Sequence, residues 1–243
     1  MGLDLSYRWS IKLKHRGGSV ITDRAVFLIE DLTSFLESII LGINKHFTQA
    51  RLEVGMSDQA KKIFTPFTDE LVETLKIGDR VLLSGIIYTA RDAAHIRLVE
   101  CIEKGGKFPF EPKGQVIYYV GPTPPRPGQV IGSAGPTTAY RMSKYAPKLI
   151  ALGIKGFIGK GAVAEETMEA MKKFKAVYFL ATGGTGVYIS QFIVKSELVC
   201  YEDLGAEAVR KFEVVDMPVI VAQDCWGGNL FVEGRKKYSQ LEK

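Results

Sequence analysis

Cysteine and histidine are scarce in this chain, which has three of each among its 243 residues. The cysteines Cys101, Cys200 and Cys225 lie far apart and show no C-x-x-C spacing. This excludes a disulfide framework and favours single cysteines buried as small apolar side chains over ligands of a metal cluster. Because so few cysteines are typical of proteins kept under reducing conditions, we expect a cytoplasmic protein.

Long hydrophobic runs and dense clusters of charge are also missing. The most apolar stretch, residues 25–43, contains Glu30, Asp31 and Glu37, so we do not expect it to cross a bilayer. The net charge of +5, from 32 Lys+Arg against 27 Asp+Glu, suits an anion-binding site. No Lys/Arg run or aromatic pattern typical of RNA binding accompanies it, so neither a membrane nor a nucleic acid is an expected partner.

The N-terminal segment, residues 1–55, is not expected to be a targeting signal. It contains 7 Lys+Arg and 6 Asp+Glu, unlike the acid-poor composition of a transit peptide. An amphipathic helix is predicted after Asp31, because apolar residues recur there at helical spacing: Leu32, Phe35, Leu36, Ile39, Ile40 and Ile43. Since Met56 opens a segment that looks like a protein start, we interpret residues 1–55 as an accessory extension or a non-native start. Residues 56–243 then form one domain.

From Lys76 onward the sequence predicts an α/β fold. Short apolar runs bounded by glycine or charged residues are typical of buried strands, here at residues 80–83, 115–120, 156–158, 177–180, 194–199 and 219–222. Segments with helical periodicity alternate with them, at residues 89–103, 137–152 and 164–174. The glycine-rich run at residues 182–186 favours a tight turn from a strand into a helix.

The first candidate site residue is Arg91, which lies at the predicted start of a helix. Free backbone N–H groups and the helix dipole both favour an anion at such a position. Asp92 follows in the first turn, where an acidic side chain is also favourable. The alternative is an ordinary capped helix with Arg91 exposed to solvent.

Two further cations lie beside glycines. Pro136 predicts a helix start, so Thr137 and Arg141, four residues apart, would share one helical face and offer a hydroxyl and a guanidinium to a carboxylate. Lys160 stands between Gly159 and Gly161 at the predicted carboxyl end of a strand, where ligands bind in open α/β sheets. The alternatives are a capping threonine, a surface arginine and a plain turn. Together the three cations suit a small dicarboxylate better than a monoanion.

Three stretches carry a resemblance to a known family: GIIYTARDAAHIRL, VIGSAGPTTAYRM and GIKGFIGKG. They resemble the C-terminal domain, or separate β subunit, of the iron–sulfur-dependent class I fumarases and the related tartrate dehydratases, over residues 56–238. The resemblance implies a swivelling β/β/α domain and the reversible hydration of fumarate to malate. It further implies a [4Fe–4S] cluster held by cysteines of an α subunit, an α2β2 heterotetramer, and no metal ligand or independent activity in this chain.

The resemblance also implies roles for individual residues. Thr137 matches the proton-abstracting position, and Arg91, Arg141 and Lys160 match the side chains that bind substrate carboxylates. We expect Asp92, His95 and Thr138 to support them. Because the first motif has alanines where tartrate dehydratases tend to carry cysteine, we favour fumarate as substrate. The alternatives are a tartrate dehydratase β subunit and a non-catalytic assembly subunit with the same fold.

Overall fold

The computed structural model describes residues 60–239. The helix predicted after Asp31 and the boundary at Met56 lie outside these residues. Seven strands are present in the described part, β1 to β7: Lys61–Phe64, Arg80–Thr89, Val116–Tyr118, Gly156–Gly159, Val177–Leu180, Ile193–Cys200 and Val209–Gln223. The α-helices α1 to α6 are Asp69–Glu73, Asp92–Glu103, Ala146–Leu152, Glu165–Phe174, Gly186–Ser190 and Leu230–Tyr238. Two 3₁₀-helices cover Ala139–Met142 and Glu202–Glu207.

The strands form one sheet that closes on itself through β7. Strands β1 to β5 are mutually parallel and lie in chain order, whereas β7 runs antiparallel to β2, β5 and β6. Ile220 of β7 pairs with Leu180 of β5 and also with Arg80 of β2. The strands β2, β3, β4, β5 and β7 therefore make a closed ring, which β1 and β6 extend.

Alternate strand residues contribute to two separate hydrophobic cores. One cluster contains residues of the ring strands such as Leu83, Tyr118 and Phe179. The other combines the alternate positions, including Phe157 and Tyr178, with apolar residues of α2, α3 and α4. Since β3, β4 and β5 are buried on both faces, their sequences are almost continuously apolar, as is typical of parallel strands covered by helices.

The predicted α/β class is confirmed, and several predicted elements lie where expected. The strands predicted at 156–158, 177–180 and 194–199 and the helix at 164–174 match observed elements within about two residues. Strand β2 continues to Thr89, beyond the predicted end, and α2 begins at Asp92. Among residues 60–239 no helix is both long and apolar enough to cross a membrane. The swivelling type of the domain stays a prediction.

The single helix predicted over residues 137–152 is wrong. Pro136 forms a bridge with Val120, and Thr138 forms one with Lys160, so this stretch is extended rather than helical. The backbone bonds to neighbouring strands replace the bonds that a helix would make. A short 3₁₀-helix follows at Ala139–Met142, and α3 begins only at Ala146, with a proline in its first turn.

Candidate active site

The predicted site residues follow neighbouring parallel strands, at the edge of the sheet where those strands end. Arg91 comes two residues after β2, and Lys160 comes directly after β4. Thr137 and Thr138 belong to the extended segment that follows β3, and the glycine loop 182–186 follows β5. Because the carboxyl ends of parallel strands share one edge, the topology brings these loops together, and ligands bind at this edge in α/β proteins.

Arg91 occupies the N-cap of α2 in an extended conformation, and its side chain makes no capping bond. Its guanidinium pairs instead with Asp92 at 3.6 Å and with Glu207 at 3.4 Å. Gly121 lies against it, since a Cβ built there would come within 2.9 Å of Nη1. The buried Nε of Arg91 has no hydrogen-bond partner among the described residues, so this donor is unsatisfied.

Asp92 connects the two candidate arginines. Its Oδ2 lies 3.6 Å from Arg91 Nη2 and 3.3 Å from Arg141 Nη2. Arg141 belongs to the first 3₁₀-helix and its side chain is 48% exposed. The carboxylate therefore holds two guanidiniums near each other while leaving much of Arg141 open to solvent, where such a pair contributes little to stability.

Thr137 and Lys160 are fixed side by side through backbone hydrogen bonds. The Thr137 N–H donates to Tyr119 O at 2.7 Å, and the Lys160 N–H donates to Thr137 O at 3.0 Å. Gly159 permits this approach, because a Cβ there would lie 2.8 Å from the ring of Tyr119. Lys160 is exposed, and its chain passes Gly183 of the glycine loop.

The expected arrangement of Thr137 and Arg141 on one helical face is therefore incorrect. Thr137 lies in extended backbone, and Arg141 lies in the 3₁₀-helix that follows. What keeps Thr137 in place is its pairing with the residues beside β3 and β4. Arg91 is confirmed at a helix start, and Lys160 is confirmed at the carboxyl end of a strand.

His95 is fully buried beneath Arg91 in the first turns of α2. Its Nδ1 donates to the Arg91 carbonyl at 2.8 Å, while Nε2 has no partner among residues 60–239. Burial lowers the pKa of His95 from 6.5 to about 4, against the opposing effects of the Arg91 carbonyl and Asp92. The ring is therefore neutral at physiological pH and supports the backbone of Arg91.

An open cleft of about 890 Å³ lies on the Arg141 side of Asp92. Its walls include Tyr140, Lys144 and Tyr145, but Arg91, Thr137 and Lys160 do not line it. Of the predicted site residues, Asp92 and Arg141 therefore line this cleft.

The described residues contain no group of three or more histidine, cysteine or acidic side chains that could hold a metal ion. Burial raises the pKa of Cys200 to about 11 and also raises that of Cys225. The expected source of the cluster ligands, another subunit, stays a prediction.

Glu207 is the site residue that sequence reasoning missed. It contacts Arg91 from the second 3₁₀-helix, more than a hundred positions along the chain, and belongs to none of the three motifs. No local pattern of the sequence marks it.

A family model described as "Fumarase C-terminus" matches residues 43–234. This chain belongs to that family. The match begins before Met56 and ends within α6, so it contains the whole described sheet and all the candidate site residues. The resemblance noted in the sequence is thereby confirmed.

The relatives of this chain are named either as tartrate dehydratase β subunits or as class I fumarate hydratases. The putative L(+)-tartrate dehydratase subunit beta of Methanocaldococcus jannaschii is 35% identical over 187 residues, which cover 74% of this chain and 96% of that protein. The L(+)-tartrate dehydratase subunit beta of Escherichia coli K12 is 32% identical, over 74% of this chain and 91% of that protein.

Other relatives are named class I fumarate hydratase. The putative class I fumarate hydratase of Geobacillus stearothermophilus is 33% identical over 198 residues, which cover 78% of this chain and 37% of that protein. This chain thus spans little more than a third of that enzyme. All these relatives are named as hydratases or dehydratases, so the family is one of lyases.

Proposed function

We propose that this chain is the β subunit of a cytoplasmic class I fumarate hydratase that converts fumarate to (S)-malate together with an α subunit. The observation that carries the proposal is the set of Arg91, Arg141, Lys160 and Thr137 on loops at one edge of the sheet. Two acids, Asp92 and Glu207, accompany the three cations and leave one net positive charge. A doubly charged substrate suits such a surface.

The arginines would bind the substrate carboxylates. Arg91 is held at one end by its acidic partners and has an unpaired Nε, and Arg141 is half exposed beside it. A planar guanidinium binds a carboxylate through two parallel hydrogen bonds, and an ammonium such as that of Lys160 contributes a point charge.

Thr137 would move the proton at the carbon next to a carboxylate. An isolated hydroxyl is a poor base, so its action depends on the nearby cations, which stabilise the negative charge that develops on the substrate. We propose that a [4Fe–4S] cluster is held by the α subunit, where it would supply a Lewis acid for the substrate hydroxyl. The exposure of Thr138, Arg141 and Lys160 supports a site completed by another surface, which we propose to be that of the α subunit in an α2β2 heterotetramer.

L-tartrate is the second candidate substrate. The tartrate dehydratase β subunits match this chain over 96% and 91% of their own lengths, whereas the fumarate hydratase matches over 37% of its length. Tartrate carries one hydroxyl more than malate and the same two carboxylates, so the same cations would bind it.

Anaerobic co-expression with the α subunit of the same genome tests the proposal. We expect the complex to consume fumarate, measured by its ultraviolet absorbance, and the β chain alone to be inactive. Thr137→Ala should lower kcat with little change in KM, because it removes proton transfer rather than binding. Conversion of L-tartrate alone would establish the second candidate, and conversion of neither substrate would contradict both.

A further inference from the structure

We propose that Glu207 is a positioning residue that fixes the Arg91 guanidinium for substrate binding, an inference that rests on the proposed function. One carboxylate oxygen of Glu207 lies 3.4 Å from Arg91 Nη2. The other accepts a hydrogen bond of 2.8 Å from the Ala93 N–H. Glu207 thus holds the side chain of Arg91 and the backbone two residues later at the same time.

The bond to Ala93 explains how Arg91 can serve as an N-cap and still direct its side chain elsewhere. The first amides of a helix lack intrahelical partners, and a capping side chain normally binds one of them. Arg91 provides no such bond. Glu207 reaches across from the second 3₁₀-helix to accept the Ala93 amide, and its negative charge at the start of α2 is favourable for the helix dipole.

Gly121 lies beside Arg91 and beside the second 3₁₀-helix. A Cβ at position 121 would lie 2.9 Å from Arg91 Nη1, 3.0 Å from its Cδ and 3.2 Å from Ala206 O. The missing side chain at position 121 therefore leaves room for both Arg91 and the end of the second 3₁₀-helix. The Nε of Arg91 is buried there without a hydrogen-bond partner among the described residues.

Glu207 is itself well anchored. The buried Thr89, at the end of β2, donates its hydroxyl proton to Ala208 O at 3.2 Å and accepts a bond of 2.9 Å from the Arg210 N–H. The residue next to Glu207 is thereby tied to the strand that precedes Arg91. Both ends of the Glu207–Arg91 contact are fixed to β2, which makes Glu207 a rigid support.

Without Glu207, the anionic partner of Arg91 that remains among residues 60–239 is Asp92, which also pairs with Arg141. A freely rotating guanidinium must be ordered when the substrate binds, and that ordering reduces affinity. Glutamine does not replace Glu207, because it has only one acceptor oxygen. If that oxygen accepts from Arg91 or from Ala93, the amide NH₂ faces the other donor and forms no hydrogen bond with it.

Asp203 offers a matched control. It lies in the same 3₁₀-helix and pairs with Arg97 of the same α-helix, with Oδ2 2.5 Å from Nη2. Asp203→Asn therefore removes the same charge from the same interface without touching Arg91. Circular dichroism melting of both full-length variants establishes that each is folded.

Steady-state kinetics of the αβ complex are measured on whichever of fumarate and L-tartrate it converts. We expect Glu207→Gln to raise KM about tenfold with kcat changed less than about threefold, and Asp203→Asn to leave both within about twofold. An unchanged KM in Glu207→Gln, or equal effects of the two variants, would overturn the proposal.

Hydrogen exchange of the Arg91 Nε–H, followed by NMR in the full-length β chain and assigned by its loss in Arg91→Lys, needs no activity. We expect slow exchange in the wild type and in Asp203→Asn, and faster exchange in Glu207→Gln. Equal exchange in all three would refute a positioning role. If the complex converts neither substrate, the proposed function is wrong, and this second measurement alone tests the support of Arg91 by Glu207.

Discussion

Acidification should destabilise this domain through His95, whose ring is completely buried. Burial lowers its pKa from 6.5 to about 4, so between these values the unfolded chain binds a proton that the folded chain does not. The contribution of His95 to stability therefore rises with pH across this window. It is fully present above about pH 6.5 and is lost as the pH falls toward 4. The difference between the two pKa values corresponds to about 3 kcal/mol of unfolding free energy.

Urea unfolding of the isolated chain between pH 4 and 7.5, followed by circular dichroism, measures this effect. His95→Asn is the informative variant, because its side-chain amide can still donate to the Arg91 carbonyl and does not titrate. The carboxylates, and the histidines outside residues 60–239, are the same in both proteins. Their contributions to the pH dependence therefore cancel when the two unfolding free energies are subtracted.

We expect the wild type to be the more stable protein at pH 7.5, and its advantage over His95→Asn to shrink by about 3 kcal/mol at pH 4. A difference that stays constant across the range would show that His95 titrates alike in the folded and unfolded chains. The burial argument would then be refuted.

Four further changes test the packing and the domain boundary. Gly159→Ala should destabilise the fold by about 1–3 kcal/mol in urea unfolding, because its Cβ would lie 2.8 Å from a neighbouring tyrosine ring. Gly234→Ala, in a helix with nothing within 4 Å, should instead stabilise by about 0.5–1 kcal/mol. Tyr118→Phe should cost about 1–3 kcal/mol in the same assay, because its buried hydroxyl donates to Ala134 O. Deleting residues 1–55 should change the unfolding free energy by less than about 2 kcal/mol; a larger loss would place that segment in the core.

The strands that are buried on both faces of the sheet were the elements best predicted from the sequence. Strands β4 and β5 are continuous apolar runs between polar or glycine-rich turns, so composition alone locates them. The helix predicted over residues 137–152 failed because its first residues find backbone partners on other strands, a tertiary effect that local periodicity does not contain. Of β7, only residues 219–222 at its end were predicted as a strand. The earlier part contains Asp216, whose φ is positive, and Pro218, and both features are unusual within a strand.

For the candidate site, the motifs located the residues but not their mutual support. Arg91, Arg141, Thr137 and Lys160 stand in stretches that are recognisable in the sequence, and the structure places them along one edge of the sheet. Glu207 belongs to a 3₁₀-helix without a distinctive pattern, and only the closure of the sheet brings it to Arg91. Contacts between segments so far apart in the chain depend on topology, which short-range patterns do not encode.

The closing strand has a consequence for how the protein is made. Strand β7 pairs with β2, about 130 positions earlier in the chain, and Glu207, which contacts Arg91, lies two residues before β7. Contacts of such long range form late and slowly during folding. A ribosome-bound chain that has not yet released residues 209–223 has an open ring and an unsupported Arg91. We therefore expect assembly with any partner at this edge to begin only after residues 209–223 have left the ribosome.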